Sequence, residues 1–339
     1  MARAGFLALA ATAAVLAAEP AAARDFYEGK TIALLAGAPA GSEHDKLARL
    51  VAKHLQAQIP GKPAINVDNR SANAGVDALN AFAADAPKDG TALHLVMPGM
   101  TFLQAVRAPS ARFDTGALNY LGNLSKAPHA LVTWWVTGFK TIDDGRRREM
   151  NLGAVGNVGP GAYYPPILDA MLRTRFKVIG NYRRDQDVDE GMENSEVGGR
   201  VVSWATLKVN QPGWIAQKRL GILVQIGLAK HPDLPDAPLL TSLAASDRDR
   251  ALLAFVSSDA EHARAIAAPR GTPPEQVSIL RTAFDAMTAD PAFVAEARAG
   301  RFDLSPANGE ETAKAVESEL RTPRDVVDRV RAILSDDLR

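Results

Sequence analysis

The sequence predicts an α/β protein of two lobes, because β-rich runs alternate with amphipathic stretches and that alternation occurs twice along the chain. In the first set Thr31–Leu35 reads as a buried strand, residues 37–41 as a loop, and the stretch from Asp45 as a helix, with Leu47, Leu50, Val51 and Leu55 at helical spacing. Ala64–Asp68 is a second strand, Val76–Ala84 a helix, Asp89-Gly90 a turn and Thr91–Met97 a third strand, an order that predicts a mostly parallel sheet. In the second set Ala130–Val136, Asn151–Val155, Lys177–Gly180 and Arg200–Trp204 read as strands. Thr141–Arg148 and Ala162–Met171 read as helices, the latter with Pro165 and Pro166 in its first turns. Leu220–Gly227 is an unbroken apolar strand, read as a segment crossing back to the first lobe.

The last hundred residues are mainly helical. Thr272 is expected as an N-cap with Pro273 at the first helical position and Glu275 closing a capping box. Asp290-Pro291 starts another helix and Gly300 stops it, while residues 310–335 form two polar helices expected on the outside of the first lobe. The expected division is residues 24–125 plus 230–339 for one lobe and 126–229 for the other.

The amino terminus reads as a secretory signal peptide over residues 1–23. Arg3 precedes an apolar run from Phe6 to Ala18, and small residues ending Ala21-Ala22-Ala23 follow. The run is shorter than the ~20 residues of a spanning helix, so the mature chain is expected free in the periplasm. With no cysteine anywhere, it has neither a lipid-anchoring cysteine nor a disulfide, and a core alone must hold it together. Lys+Arg and Asp+Glu both number 39; a neutral chain with few aromatics argues against nucleic acid and anionic membranes as partners. The one basic cluster, Arg146, Arg147 and Arg148, reads as a solvated helix end.

In open parallel sheets, ligands sit at the carboxyl ends of strands. Four such ends are legible. The first carries Pro39, Ala40, Gly41, Ser42, His44 and Asp45 into a helix, and the second carries Pro98, Gly99 and Met100. The third carries Gly156, Asn157, Val158, Gly159 and Gly161 into another helix, and the fourth Ser203, Trp204 and Thr206. Two of these are small-residue loops feeding helix N-termini, where unsatisfied N–H groups and the helix dipole favour an anion. One from each lobe would clamp a carboxylate without an arginine. Asp45 reads mainly as a cap partner of Ser42, and His54 and His94 as packed residues.

Catalytic signatures are weak. Gly-x-Ser-x-Gly and the phosphate-binding Gly-x-x-x-x-Gly-Lys-Ser/Thr are absent, and no two of the six histidines have metal-ligand spacing. Asp185, Asp187, Asp189 and Glu190 lack the glycine and distal glutamate of a calcium loop and read as a solvated helix start. No cofactor, metal or catalytic residue is expected.

The ordered set of short motifs resembles the substrate-binding receptors of tripartite tricarboxylate transporters, the Bug family. The opening Asp25-Phe26-Tyr27-Glu28-Gly29-Lys30-Thr31-Ile32 is similar to one branch of that family. Residues 39–45 resemble its Pro-x-Gly-Gly-x-x-Asp loop with Ser42 for the second glycine, and residues 67–75 its Glu-Asn-Arg-Pro-Gly-Ala-Gly-Gly segment with glycines lost. Residues 87–91 resemble its Pro-Asp-Gly-Tyr-Thr turn, residues 156–161 fall on its second binding loop, and residues 269–273 match Pro-x-Gly-Thr-Pro. The resemblance implies a type II periplasmic-binding fold with two crossover segments, and a carboxylate held by the first and second loops. It also implies delivery to the membrane components of a tripartite carrier.

Two departures bear on the ligand. Gly198 stands where the family has an acidic residue, and the second loop carries Val158 and Pro160 rather than hydroxyls, with Tyr163 and Tyr164 following. The expectation is a monomeric receptor for a small organic mono- or dicarboxylate less polar than citrate, aromatic or long-chain. Two other readings stay open: a sensory receptor presenting its ligand to a signalling partner, and an exported enzyme on the same fold.

Overall fold

The computed structural model describes residues 26–156 and 159–334. The expected leader, and the predicted site residues Asn157 and Val158, lie outside the described residues.

The chain begins with β1 (Thr31–Ala36), α1 (Glu43–Gln58), β2 (Ala64–Asn69), α2 (Val76–Asp85), β3 (Ala92–Leu95), α3 (Met100–Ala105) and β4 (Asn119–Asn123). It continues through β5 (His129–Trp134), α4 (Ile142–Arg147), β6 (Met150–Val155), α5 (Pro160–Leu172), β7 (Phe176–Tyr182), α6 (Asp185–Glu193), β8 (Gly199–Ser203), α7 (Trp204–Asn210), α8 (Pro212–Ala216) and β9 (Leu220–Ile226). The last part contributes α9 (Asp247–Ser257), β10 (Ala265–Ala268), α10 (Pro274–Ala289), α11 (Pro291–Ala299), β11 (Ala307–Asn308), α12 (Gly309–Leu320) and α13 (Arg324–Leu334).

Two sheets result, ordered β11-β4-β10-β3-β1-β2 and β7-β6-β8-β5-β9. The β2-β1-β3 and β7-β6-β8 triplets are parallel, as the alternation of strands and helices requires. The remaining pairs are antiparallel, so both sheets are mixed rather than mostly parallel. The chain passes from β4 in the first sheet to β5 in the second, and returns after β9 to reach β10. Leu220–Ile226 is thus not itself the crossing segment but an edge strand paired with β5.

The leucines read from the sequence pack where their spacing puts them. Leu47, Val51 and Leu55 of α1 meet Leu34, Leu93 and Ile266 of the first sheet and Phe284 of α10. Burying each such side chain contributes about 1.5–3 kcal/mol. A second apolar cluster is shared between the lobes, joining Phe102, Leu103 and Phe255 to Tyr163, Tyr164, Ile167 and Val224.

Several boundaries differ from expectation, each for a local reason. Ser42 Oγ accepts from the Asp45 N–H at 3.3 Å, so α1 starts two residues before Asp45. Pro273 is extended (ψ 142°) because it precedes Pro274, and so caps α10 instead of opening it. Thr272 Oγ1 donates to the Pro269 carbonyl, and no capping box forms there. α5 starts at Pro160, which leaves Pro165 and Pro166 inside the helix. Trp135 and Val136 leave the strand in a short turn closed by Gly138 at φ 69°. α13 is amphipathic, not simply polar; its Val326, Val327, Val330 and Leu334 are buried, and it packs on α9 and on α5 of the second lobe.

Between the lobes, the Tyr164 hydroxyl donates to the Val256 carbonyl at 2.7 Å and lies 3.1 Å from Asp259 Oδ1, while Tyr163 Oη lies 3.4 Å from Oδ2. A single tyrosyl hydrogen cannot serve both acceptors. With it on Val256, an Asp259 carboxyl that carries a proton can donate to the Tyr164 oxygen. Burial, then the charge of Glu319, raises the Asp259 pKa to about 7, against the opposing pull of His262 and the two hydroxyls. The ordinary value is 3.8, so the folded chain keeps a proton that the unfolded chain releases. Stability from this group therefore falls as pH rises from ~4 to ~7. Urea titrations at a series of pH values should show this decline in the wild type relative to Asp259→Asn; parallel pH dependences would contradict it.

Gly75, at φ 87°, closes the turn before α2; a Cβ there would lie 2.7 Å from the Gly37 carbonyl oxygen and 2.8 Å from Met97 Cγ. Gly75→Ala should cost about 2–3 kcal/mol in denaturant unfolding. A loss under ~0.5 kcal/mol would show that this contact relaxes freely.

Candidate ligand-binding cleft

A cavity with an empty volume of about 1040 Å³, including its open mouth, lies between the lobes. The first lobe contributes Pro39, Ser42, Glu43, His44, Ser71, Ala74, Met97, Pro98, Met100 and Arg264. From the second come His129, Val155, Gly159, Pro160, Gly161, Arg183, Arg184, Asp185, Arg200, Val202, Ser203 and Thr206. The four loops singled out from the sequence thus meet at one place. Within them Pro39, Ser42, His44, Pro98, Met100, Gly159, Gly161, Ser203 and Thr206 line the cavity.

Ala40, Gly41, Asp45, Gly99, Gly156 and Trp204 are not among the lining residues. The Asp45 carboxylate accepts the Gly41 N–H at 2.8 Å and pairs with Arg49, which fixes the loop before α1. Gly99 sits behind, where a Cβ would meet the Tyr163 hydroxyl at 2.8 Å. The Trp204 indole donates to Asp233 at 3.0 Å, and its ring belongs to an apolar cluster with Trp134 and Trp214.

The two loops leave different main-chain N–H groups open among the described residues. In the first loop the Ser42 and Gly41 N–H groups are already bonded, leaving those of Glu43 and His44 without a partner among the described residues. In the second loop Pro160 has no N–H, and the Ala162 and Tyr163 N–H groups both bond to the Gly159 carbonyl. The described part of that helix start therefore offers the N–H groups of Gly159 and Gly161, which have no partner among the described residues.

Buried ion pairs stand beside the cavity. Arg264, fully buried, donates through Nη2 to Glu43 Oε2 at 2.8 Å and through Nε to Oε1 at 3.2 Å. Nη2 also reaches Ser203 Oγ of the other lobe at 3.4 Å, and Thr206 Oγ1 donates to Glu43 Oε2 at 3.5 Å. Burial pushes the Glu43 carboxyl up, but the Arg264 charge and the His44 bond outweigh it and hold the pKa at about 2. Burial and the Arg264 charge hold His129 down at about 3, so it is a neutral ring in the wall. His44 is lowered by the same two causes and bonds Glu43 through Nδ1 at 3.3 Å. No hydroxyl of the described residues reaches its Nε2, so no nucleophile–base pair is assembled there.

Arg200 is the second buried arginine; it is ion-paired to Asp185 and, at 2.7 Å, to Asp189. Asp189 is buried, so the acidic run 185–190 is not simply a solvated helix start. A nearby His231–Asp233–Asp303 trio has ligand atoms within 4.8 Å of one another. Lys208 Nζ lies 2.7 Å from both Asp233 and Asp303, so a lysine already supplies its positive charge and ties α7 to the segment after α11.

Sequence reasoning missed Glu43, Arg264, Arg200, Arg183, Arg184, Asp185 and His129. Arg183 and Arg184 follow directly on β7 and so fall under the same strand-end rule, but the strand was ended at Gly180. Arg264 precedes β10, whose alanines give no period-two signal.

No protein-family model matches the sequence, and no curated protein does. Solved structures do match. Periplasmic binding protein BugD superposes with a TM-score of 0.69 at 16% identity, covering 91% of this chain and 98% of that one. A Rhodopseudomonas palustris protein, MatC with bound malate, gives 0.67 at 16% identity over 88% and 99%. An R. palustris protein with adipate gives 0.68 at 17% identity over 91% and 98%. The chain therefore has the two-lobed type II fold of the TctC- and Bug-type periplasmic binding proteins. Among the described residues no helix is long and apolar enough to cross a membrane.

Arg264→Ala would leave Glu43 buried without its counter-charge and should cost about 3–5 kcal/mol in chemical denaturation. The paired Glu43→Gln/Arg264→Met variant should recover much of that loss. A double variant no more stable than Arg264→Ala would show that the pair does not act as a unit.

Proposed function

We propose that the protein is a periplasmic solute receptor that captures a small carboxylate by closing its two lobes and hands it to a tripartite tricarboxylate-type carrier. The supporting observation is the cavity itself: free amides of Glu43 and His44 from one lobe face Gly161, Ser203 and Thr206 from the other. The malate and adipate bound by proteins of the same fold agree with this chemistry. The lobes are taken as residues 24–125 plus 230–339 and 126–229, with Leu124–Pro128 and the chain after Ile226 as the connections. Residues 1–23 act as the export signal. The protein turns over no substrate and works as a monomer.

Closure follows from where the bonds come from. A carboxylate bonded from both lobes binds the closed state better than the open one and shifts the balance toward it. Each charge-assisted hydrogen bond contributes roughly 1.5–3 kcal/mol. Three or four of them, less the closing cost, correspond to micromolar affinity, about −8 kcal/mol. Ser42, Ser203 and Thr206 supply hydroxyls to complete the shell, since an unpaired buried oxygen would be costly.

The ligand is less polar than citrate. Pro39, Met97, Met100, Val155, Val201 and Val202 present apolar surface in the cavity. Tyr163 and Tyr164 do not contribute to it; both are buried and turned toward Asp259. Thermal-shift screening should find stabilisation by adipate-like or aromatic acids, about 2.7 kcal/mol at a hundredfold excess over Kd, and a weaker effect of citrate. Stabilisation by citrate alone would refute the ligand class, and no response to any carboxylate would refute the receptor.

A further inference from the structure

Four arginines line the cavity, and three are already neutralised by the chain's own carboxylates. Arg264 is held by Glu43, Arg200 by Asp185 and Asp189, and Arg184 by Asp187 at 2.6 Å. The fourth, Arg183, is exposed, lines the cavity mouth, and has no ion pair or side-chain hydrogen bond among the described residues. The nearest acid along the chain that also lines the cavity, Asp185, is turned to Arg200 and does not neutralise it.

The position is set by the fold. Arg183 is the first residue after β7, and β7 runs parallel to β6, whose own carboxyl end delivers Gly159 and Gly161. Arg183 therefore stands on the same edge of the second sheet as the second-lobe loop. Met97, Met100 and Val155 line the same cavity as Glu43, His44 and Arg183 and give it apolar surface.

We propose that Arg183 is the specificity-determining residue of this receptor, and that it selects a ligand with a second anionic group separated from the first by an apolar chain. The first carboxylate sits at the Glu43 and His44 amides. The second meets the guanidinium, whose planar fork accepts a carboxylate through two parallel bonds. The inference rests on the carboxylate-receptor reading above and adds to it the identity of the distal partner. An acid with one carboxylate would leave Arg183 to water, and a compact triacid would place its charges on the apolar surface.

The test is calorimetric titration of the full mature chain with matched acids: hexanoate against adipate, and succinate and suberate to set the spacing. Wild type should bind its best diacid about tenfold more tightly than the monoacid of equal length. Arg183→Gln should weaken the diacid far more than the monoacid and so abolish that ratio, and Arg183→Lys should keep part of it. A merely structural arginine would weaken both acids alike. If Arg183→Gln keeps the ratio, the assignment of Arg183 is overturned and the receptor reading stands. If wild type binds neither mono- nor diacids of any of these lengths, the receptor reading falls and this inference with it.

Discussion

The cleft depends on a carboxylate buried at the start of a helix. Glu43 stands in the first turn of α1, where a negative charge suits the helix dipole, yet it is only 2% exposed. Burial alone would drive it to the neutral form. Arg264 prevents this with two hydrogen bonds, and the ionised pair then reaches Ser203 and Thr206 across the lobe boundary. The pair thus forms the polar base of the space between the lobes. It also leaves that base electrically balanced.

Around that base the two lobes are joined in different ways on different sides. On one side Phe102, Phe255, Tyr163 and Tyr164 make a shared apolar cluster with the buried Asp259 at its edge. On another, Lys208 bridges to Asp303, and Lys46 donates to Asn210 at 3.4 Å near the surface. The Lys46–Asn210 bond is exposed and the Lys208–Asp303 ion pair only part-buried, so both are more readily exchanged for water than a packed apolar contact. The apolar side is the firmer join. A motion that opens the cleft would therefore break the polar contacts near Lys208 and Lys46 while the tyrosine cluster stays packed.

Much of this was legible in the sequence. Helical spacing of Leu47, Leu50, Val51 and Leu55 located α1, and the strand-end rule gathered four loops that meet at one cavity. What escaped was what depends on distant partners. No local pattern tells a reader that Glu43 will be buried against a residue 221 positions away, or that Asp189 will be buried against Arg200. The sequence places Tyr163 and Tyr164 after the second loop without giving them a role, and α5 turns them to the other lobe's Asp259. Pro160 was visible, and its missing N–H removes one donor from the first turn of that helix.

A crystal structure of the mature chain with adipate bound tests the account most directly. The account places one carboxylate within about 2.7–3.2 Å of the Glu43 and His44 main-chain nitrogens, with the second lobe's Ser203 or Thr206 touching the same molecule. Density for the acid on an outer surface, or held by one lobe alone with the Glu43–Arg264 pair broken, would contradict it.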